Sequence, residues 1–136
     1  MSETTAYARI GGEDGVRRLV HRFYELMDTL PEAAACRAIH PPSLAGSEEK
    51  LFLYLTGWLG GPPLFTDRYG HPMLRRRHLH APIAGPEIEG WIACFRQAWA
   101  ETVTDAETTR VVLPQVENLA QHMRNRHDPP SQAMPG

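Results

Sequence analysis

Apolar residues recur along this chain at intervals of three and four, and nowhere with a period of two. Val16, Leu19, Val20, Phe23, Leu26 and Met27 form the first stripe, behind a Gly11-Gly12 break that suits a sharp turn into a helix. A brief Ala-rich helix follows from Pro31 to Ile39, with proline at its first position. Leu51, Tyr54, Leu55, Trp58 and Leu59 mark a second main helix from about Ala45 to Leu59. Glu48 and Glu49 sit in its first turn, where the helix dipole favours acids, and Gly60-Gly61-Pro62-Pro63 ends it. Residues 60–72 read as a long irregular connection, a length that inside a compact domain usually serves function. A single turn from Met73 to Leu79 comes next. The third main helix, Pro86 to Glu101, carries Ile88, Trp91, Ile92, Phe95 and Trp99 on one stripe. The fourth, roughly Glu107 to Arg126, buries Val112, Val116, Leu119, Ala120 and Met123, with Pro114 kinking it or marking its true start. No Asn-Gly or Asp-Gly signal links two apolar runs, so the expected fold class is all-α.

Composition narrows the picture. The 136 residues suffice for one domain with its own core, expected over residues 1–127, followed by a disordered tail over 128–136. A formal net charge of −2 gives no global basic field for nucleic acid. Thirteen of the fourteen basic residues are arginines, and Lys50 is the only lysine. The apolar runs fall short of the roughly 18 residues that a membrane span needs. Cys36 and Cys94 form no CxxC or zinc pattern and no signal peptide is evident, which points to a cytoplasmic protein with reduced thiols.

Seven histidines invite a metal reading. There is no HExxH and no pair at i, i+4, so a zinc hydrolase gains little support. His78 is the distinctive one, standing behind Arg75, Arg76 and Arg77 and ahead of a Pro- and Gly-marked break. An imidazole after a basic run suits an iron porphyrin, whose metal takes a nitrogen ligand and whose carboxylates take cations. The plainer reading is a solvated surface histidine. Tyr24 and Trp91 likewise read either as pocket donors or as core aromatics whose polar tips meet a backbone carbonyl.

Several pieces, in order over about residues 7–126, resemble the truncated haemoglobins, and within them group II. They are Tyr7-Ala8-Arg9-Ile10-Gly11-Gly12, Arg22-Phe23-Tyr24, the run Leu44 to Leu51, Gly60-Gly61-Pro62, the run Gly70 to His78, and Gly90-Trp91. The resemblance implies a two-over-two helical sandwich around haem b, with His78 as the ligand of a five-coordinate iron. It implies that the second ring nitrogen of His78 donates to a carbonyl of the preceding turn, that of Leu74. Tyr24 and Trp91 match distal donors, and Leu51 a wall of the distal pocket. Ser47 falls where full-length globins carry a gating histidine, and so implies an open entrance. Lys50 and Arg77 match cations for the haem propionates, while Arg75 and Arg76 read better as a solvated face. His40, where Tyr or Phe is commoner, would donate to ligand, hold Tyr24 or a water, or swing to solvent. Its titration would make ligand kinetics depend on pH. Phe23, Leu55, Leu59, Leu64, Phe65, Met73, Leu74, Leu79, Ile83, Ile88 and Phe95 are candidates for porphyrin contact, against a background of plain helix–helix core.

The implied function is reversible binding of O2, with NO and CO as further ligands, which would serve oxygen transport or storage. An alternative is a haem enzyme, an NO dioxygenase or peroxidase-like, which would call on a reductase as partner. A more distant alternative is a haem-free helical interaction module that grips an acidic partner through Arg75–Arg77. Trp58 or Trp99 offers a dimer face if exposed, and the choice between monomer and homodimer stays open.

Overall fold

The computed structural model describes residues 4–127, which form eight α-helices and one 3₁₀ turn. In chain order these are α1 (Ala6–Arg9), α2 (Gly12–Thr29), the 3₁₀ turn (Pro31–Ala33), α3 (Ala34–Ala38), α4 (Ala45–Trp58), α5 (Leu64–Tyr69), α6 (Leu74–Arg77), α7 (Gly85–Thr102) and α8 (Ala106–His122). The expected tail over 128–136 lies outside the described residues.

Local chemistry accounts for the starts of these helices. The Thr5 hydroxyl accepts the Ala8 amide at 3.1 Å to cap α1, and the Asp105 carboxylate accepts the Thr108 amide at 3.0 Å to cap α8. At α7, Pro86 occupies the first turn and the Glu87 side chain accepts the Ala84 amide at 2.8 Å. Two of the expectations need correction. Segment 60–72 is not irregular throughout, because α5 occupies its middle and buries Phe65. A six-residue helix is too short to display a 3.6-residue period, and the same holds for α1. In addition, α8 runs on through Pro114 and ends at His122, four residues early. Leu119 and Met123 are half-buried rather than buried.

The helices pack as two pairs, α2 with α4 and α7 with α8, joined mainly across α2 and α7. This is the two-over-two sandwich. Val16, Leu19, Val20, Phe23, Phe95 and Trp99 fill the interface and are essentially inaccessible. Trp99 donates its indole N–H to Thr109 Oγ1 at 2.7 Å, so it is a core residue and forms no dimer face. Trp58 is half-buried and packs against the same core.

Two sequence pieces far apart meet at the start of the sandwich. The Tyr7 amide donates to the Leu59 carbonyl at 2.9 Å, and a Cβ on Gly61 would lie 2.8 Å from the Tyr7 ring. On the other side of α1, a Cβ on Gly15 would lie 1.9 Å from the Ile10 carbonyl oxygen. That neighbour is backbone and cannot rotate away. Gly15→Ala is therefore expected to lower Tm by about 10 °C, as overpacking by ~3 kcal/mol would in a domain of this size. Thermal unfolding followed by circular dichroism checks this.

Candidate functional site

His78 closes the short helix α6. Its amide donates to the Leu74 and Arg75 carbonyls, both at 3.1 Å. Met73 starts this helix at φ 42°, the sole non-glycine in the left-handed region among the described residues. The His78 Nδ1 lies 2.7 Å from the Leu74 carbonyl oxygen. A carbonyl only accepts, so Nδ1 carries the proton and the neutral ring presents Nε2 as a bare lone pair. Although His78 is exposed overall, partial burial of the ring pushes its pKa down. The Leu74 bond opposes this shift, and the positive charges of His80, His40 and Lys50 reinforce it. The result favours the neutral, ligating form.

Two aromatic donors, Tyr24 and Trp91, share one neighbour. Tyr24 meets the Phe23 ring edge-on at 4.8 Å between centroids, and Trp91 lies 5.0 Å from the same ring. Trp91 stacks on Phe95 at 5.2 Å, and Phe95 on Trp99 at 5.9 Å. Phe23 is thus the shared buttress that fixes Tyr24 on α2 relative to Trp91 on α7. Among the described residues neither the Tyr24 hydroxyl nor the Trp91 indole N–H has a hydrogen-bond partner, and neither is walled in. Burial raises the Tyr24 pKa well above its ordinary value, so the phenol stays protonated and remains a donor.

His40 lies 6.1 Å from Tyr24, ring to ring, and its Nδ1 is 2.8 Å from the Cys36 carbonyl oxygen. The same donor logic applies. In the neutral ring Nδ1–H is committed to Cys36, and Nε2 can only accept. The Cys36 thiol itself is pushed up to about 12 by burial, so it is a neutral packing group.

A third group of side chains forms the cationic edge. Lys50 on α4 sits 5.7 Å over the Tyr69 ring, Arg77 on α6 sits 5.2 Å over Phe65, and those two rings lie 5.0 Å apart. Arg77 Nε donates to the Pro72 carbonyl at 2.6 Å, and its Nη2 to those of Tyr69 and His71 at 2.9 and 3.0 Å. Its first duty is therefore to hold the loop ahead of α6, with Nη1 left over for an anion. Arg75 is exposed yet donates to the Arg124 carbonyl at 3.3 Å.

The candidate cage residues divide by exposure. Phe23, Leu55, Phe65, Ile83, Ile88 and Phe95 are buried, with Ile83 and Ile88 in a satellite cluster beneath the loop after His78. Leu51, Leu64 and Leu74 are half-buried, as is Ser47, while Met73 is 50% exposed and Lys50 is exposed. Leu79, at 45%, and Tyr69, at 36%, join Met73. Sequence reasoning named Leu79 and passed over Tyr69. Three of the four large hydrophobics exposed among the described residues thus lie within residues 69–79. Apolar surface concentrated around a free imidazole nitrogen fits a flat apolar ligand that coordinates it. Among the described residues no three of His, Cys, Asp or Glu converge to hold a bare ion, whereas a porphyrin brings four nitrogens of its own. The donor set fits haem.

A helical sandwich that carries a histidine with one bare ring nitrogen, a phenol and an indole without partners among the described residues, and exposed apolar side chains over residues 69–79 has the parts of a haem protein. The family model for bacterial-like globins matches residues 5–125. The group 2 truncated hemoglobin YjbI of Bacillus subtilis is 36% identical over 115 residues, 85% of each chain. Among solved structures, the group II 2-on-2 hemoglobin of Agrobacterium tumefaciens superposes with a TM-score of 0.90 at 54% identity, covering 94% of this chain and 98% of that one. The truncated oxygen-avid haemoglobin of Bacillus subtilis gives 0.81 at 35% identity, covering 90% and 100%. The chain belongs to the bacterial-like globin family, as a group II truncated haemoglobin, and membership brings haem as its cofactor. No helix among the described residues is long and apolar enough to cross a membrane.

Proposed function

We propose that this protein binds O2 reversibly, with His78 Nε2 as its one protein ligand to the iron of haem b, and that Tyr24 and Trp91 hold the gas. Haem iron supplies a centre at which diatomic gases bind; the chain supplies the environment. The observation that carries the reading is the pair of unpartnered donors, the Tyr24 hydroxyl and the Trp91 indole, held together by Phe23, in a chain whose His78 keeps one ring nitrogen bare. Donors aimed into an apolar pocket favour a ligand that draws negative charge, so O2 gains more than CO. Lys50 and the free Nη1 of Arg77 pair with the propionates at the edge where Tyr69 and Phe65 lie. Leu51 and Ser47 on α4 line the approach on the distal side.

His40 supports this pocket as an acceptor. With Nδ1–H given to Cys36, its Nε2 takes a hydrogen bond from a water rather than donating to ligand, which leaves the single Tyr24 proton for the gas. Two donors suit retention of O2 better than its delivery, and this favours chemistry on the ligand, such as NO oxidation with electrons from a reductase, over carriage. The kinship to an oxygen-avid relative agrees with retention. The test is haem reconstitution followed by stopped-flow O2 dissociation and steady-state NO consumption. Slow O2 release is the expected result; failure to take up haem, or release unaffected by loss of either donor, would overturn the reading.

A further inference from the structure

The segment from His78 to Ile83 has no helical ladder to satisfy its backbone, yet it carries the iron ligand of the reading above, on which this inference rests. Within it the Ala81 amide donates to the His78 carbonyl at 3.0 Å, and one distant residue supplies further bonds. Asn125, just past the end of α8, donates from Nδ2 to the carbonyl oxygens of His78 at 3.2 Å and Ala81 at 2.9 Å. Its Oδ1 accepts the Ile83 amide at 2.9 Å. The backbone reciprocates, the amides of Asn125 and Arg126 both donating to the Ile83 carbonyl, at 2.9 and 3.1 Å. Close by, Arg75 Nε reaches the Arg124 carbonyl at 3.3 Å.

The residue type is dictated by this pattern. Two carbonyls on one side and one amide on the other require two donors and an acceptor in a single short planar group, which only a side-chain amide offers. A flipped amide would set oxygen against two carbonyls and nitrogen against an N–H, so the bonding fixes its orientation. Aspartate has the shape and lacks the donors. Beneath the clamp, Ala81 and Ile83 pack with Ile88 and Ala120, so both ends of the contact rest on buried surface.

We infer that Asn125 is a proximal positioning residue, one that sets the strain and mobility of the His78–iron bond by clamping the backbone that carries the imidazole. The ring is then held twice, through Nδ1 to Leu74 within α6 and through its own carbonyl to the end of α8. The second hold ties the iron ligand to the pair of helices that also carries Trp91.

The test uses the haem-loaded full chain and the variants Asn125→Asp and Asn125→Ala, with Asn118→Ala on the exposed face of α8 as control. The iron–histidine stretching frequency of the ferrous unliganded protein, read by resonance Raman, is expected to shift or broaden in both Asn125 variants. Haem loss to a scavenging globin should accelerate by about tenfold or more, since two hydrogen bonds at the ligand's backbone are gone. The iron–CO stretch, which reports the distal side, should stay at its native value. Exchange of the Ile83 amide should quicken in the haem-free protein too, a readout independent of the cofactor. If Asn125→Asp fails to fold, Asn125→Ala decides. Variants that fold and keep the native iron–histidine frequency and haem-loss rate overturn the inference, even where Tm falls, because the residue is then merely structural. A native chain that takes up no haem overturns the functional reading itself, and is recognised before any variant is made.

Discussion

His78→Gly leaves a helical protein that loses haem at least about a hundredfold faster than the native chain, more than the loss of a single outer-shell partner usually costs a metal site. Added imidazole restores binding and the absorption spectrum of histidine-ligated haem. The argument rests on how little else could replace the ring. His40 lies by Tyr24 with Nδ1 bonded to Cys36, and His80 stands two residues further on, past the end of α6. Both His78 and His40 have Nδ1 tied to a carbonyl, at 2.7 and 2.8 Å, but of the two only His78 lies in the segment 69–79 where Tyr69, Met73 and Leu79 are exposed. Removing the ring deletes no buried packing, since His78 is exposed and outside both apolar clusters. The apoprotein's Tm should therefore change little, which separates loss of ligation from loss of fold. Haem transfer to a scavenging globin, with and without free imidazole, measures the effect. Native-like retention by the glycine variant would remove His78 from its role.

The second large effect concerns the two aromatic donors. Tyr24→Phe and Trp91→Phe are each expected to speed O2 dissociation by about 10- to 150-fold, the range for losing one hydrogen bond of ~1.5–3 kcal/mol to a charged acceptor. CO dissociation should move far less, because CO draws little charge and gains little from a donor. Neither substitution strands a protein group, since neither polar tip has a partner among the described residues. Stability should accordingly hold in both. Trp99 provides the contrast: its N–H is bound to Thr109, so Trp99→Phe removes the donor to that hydroxyl, which keeps only its own bond to the Asp105 carbonyl, and destabilises without touching O2 release. Tyr24 and Trp91 share the Phe23 ring as buttress, so the double variant should fall short of the product of the two single effects. Stopped-flow O2 and CO release on the four proteins of the cycle reads this directly. Equal acceleration of both gases would point to altered space rather than lost donors.

Much of this architecture was legible as pattern. The stripes on α2, α4, α7 and α8 are long enough for the 3.6-residue period to repeat several times, and that on α2 is buried throughout; on α4 the buried face is shifted, with Leu51, Tyr54 and Trp58 half-buried and Phe52, Leu53 and Thr56 buried. His78 at the end of a turn follows from the pattern, while Leu74 as its partner came with the family resemblance. Short elements fared worse. In α1 and α5 one turn or two cannot establish a period, and α5 hides among Gly and Pro residues that speak for a loop. At α8, Pro114 suggested a kink or a true start, and the helix begins well before it, at Ala106.

Roles that depend on contacts across the chain were beyond reach. Arg77 looked like a propionate partner, and it is first a clamp on the carbonyls of Tyr69, His71 and Pro72. His40 had three roles open to it until the Cys36 carbonyl took one of its nitrogens. Asn125, in a polar stretch with no periodicity, gave no sign of serving a backbone 47 residues away.

By itself, the sequence determined the helical class, the faces that would be buried, and the short set of side chains able to coordinate or donate. Periodicity records the environment along one element, and residue chemistry limits what a side chain can do. Tertiary structure alone decided which of those side chains share a pocket, which nitrogen of each histidine stays free, and what holds the loop of His78 in place. Those answers depend on where the chain's path brings a carbonyl or a ring beside them, and that path is set by the packing of all the helices at once.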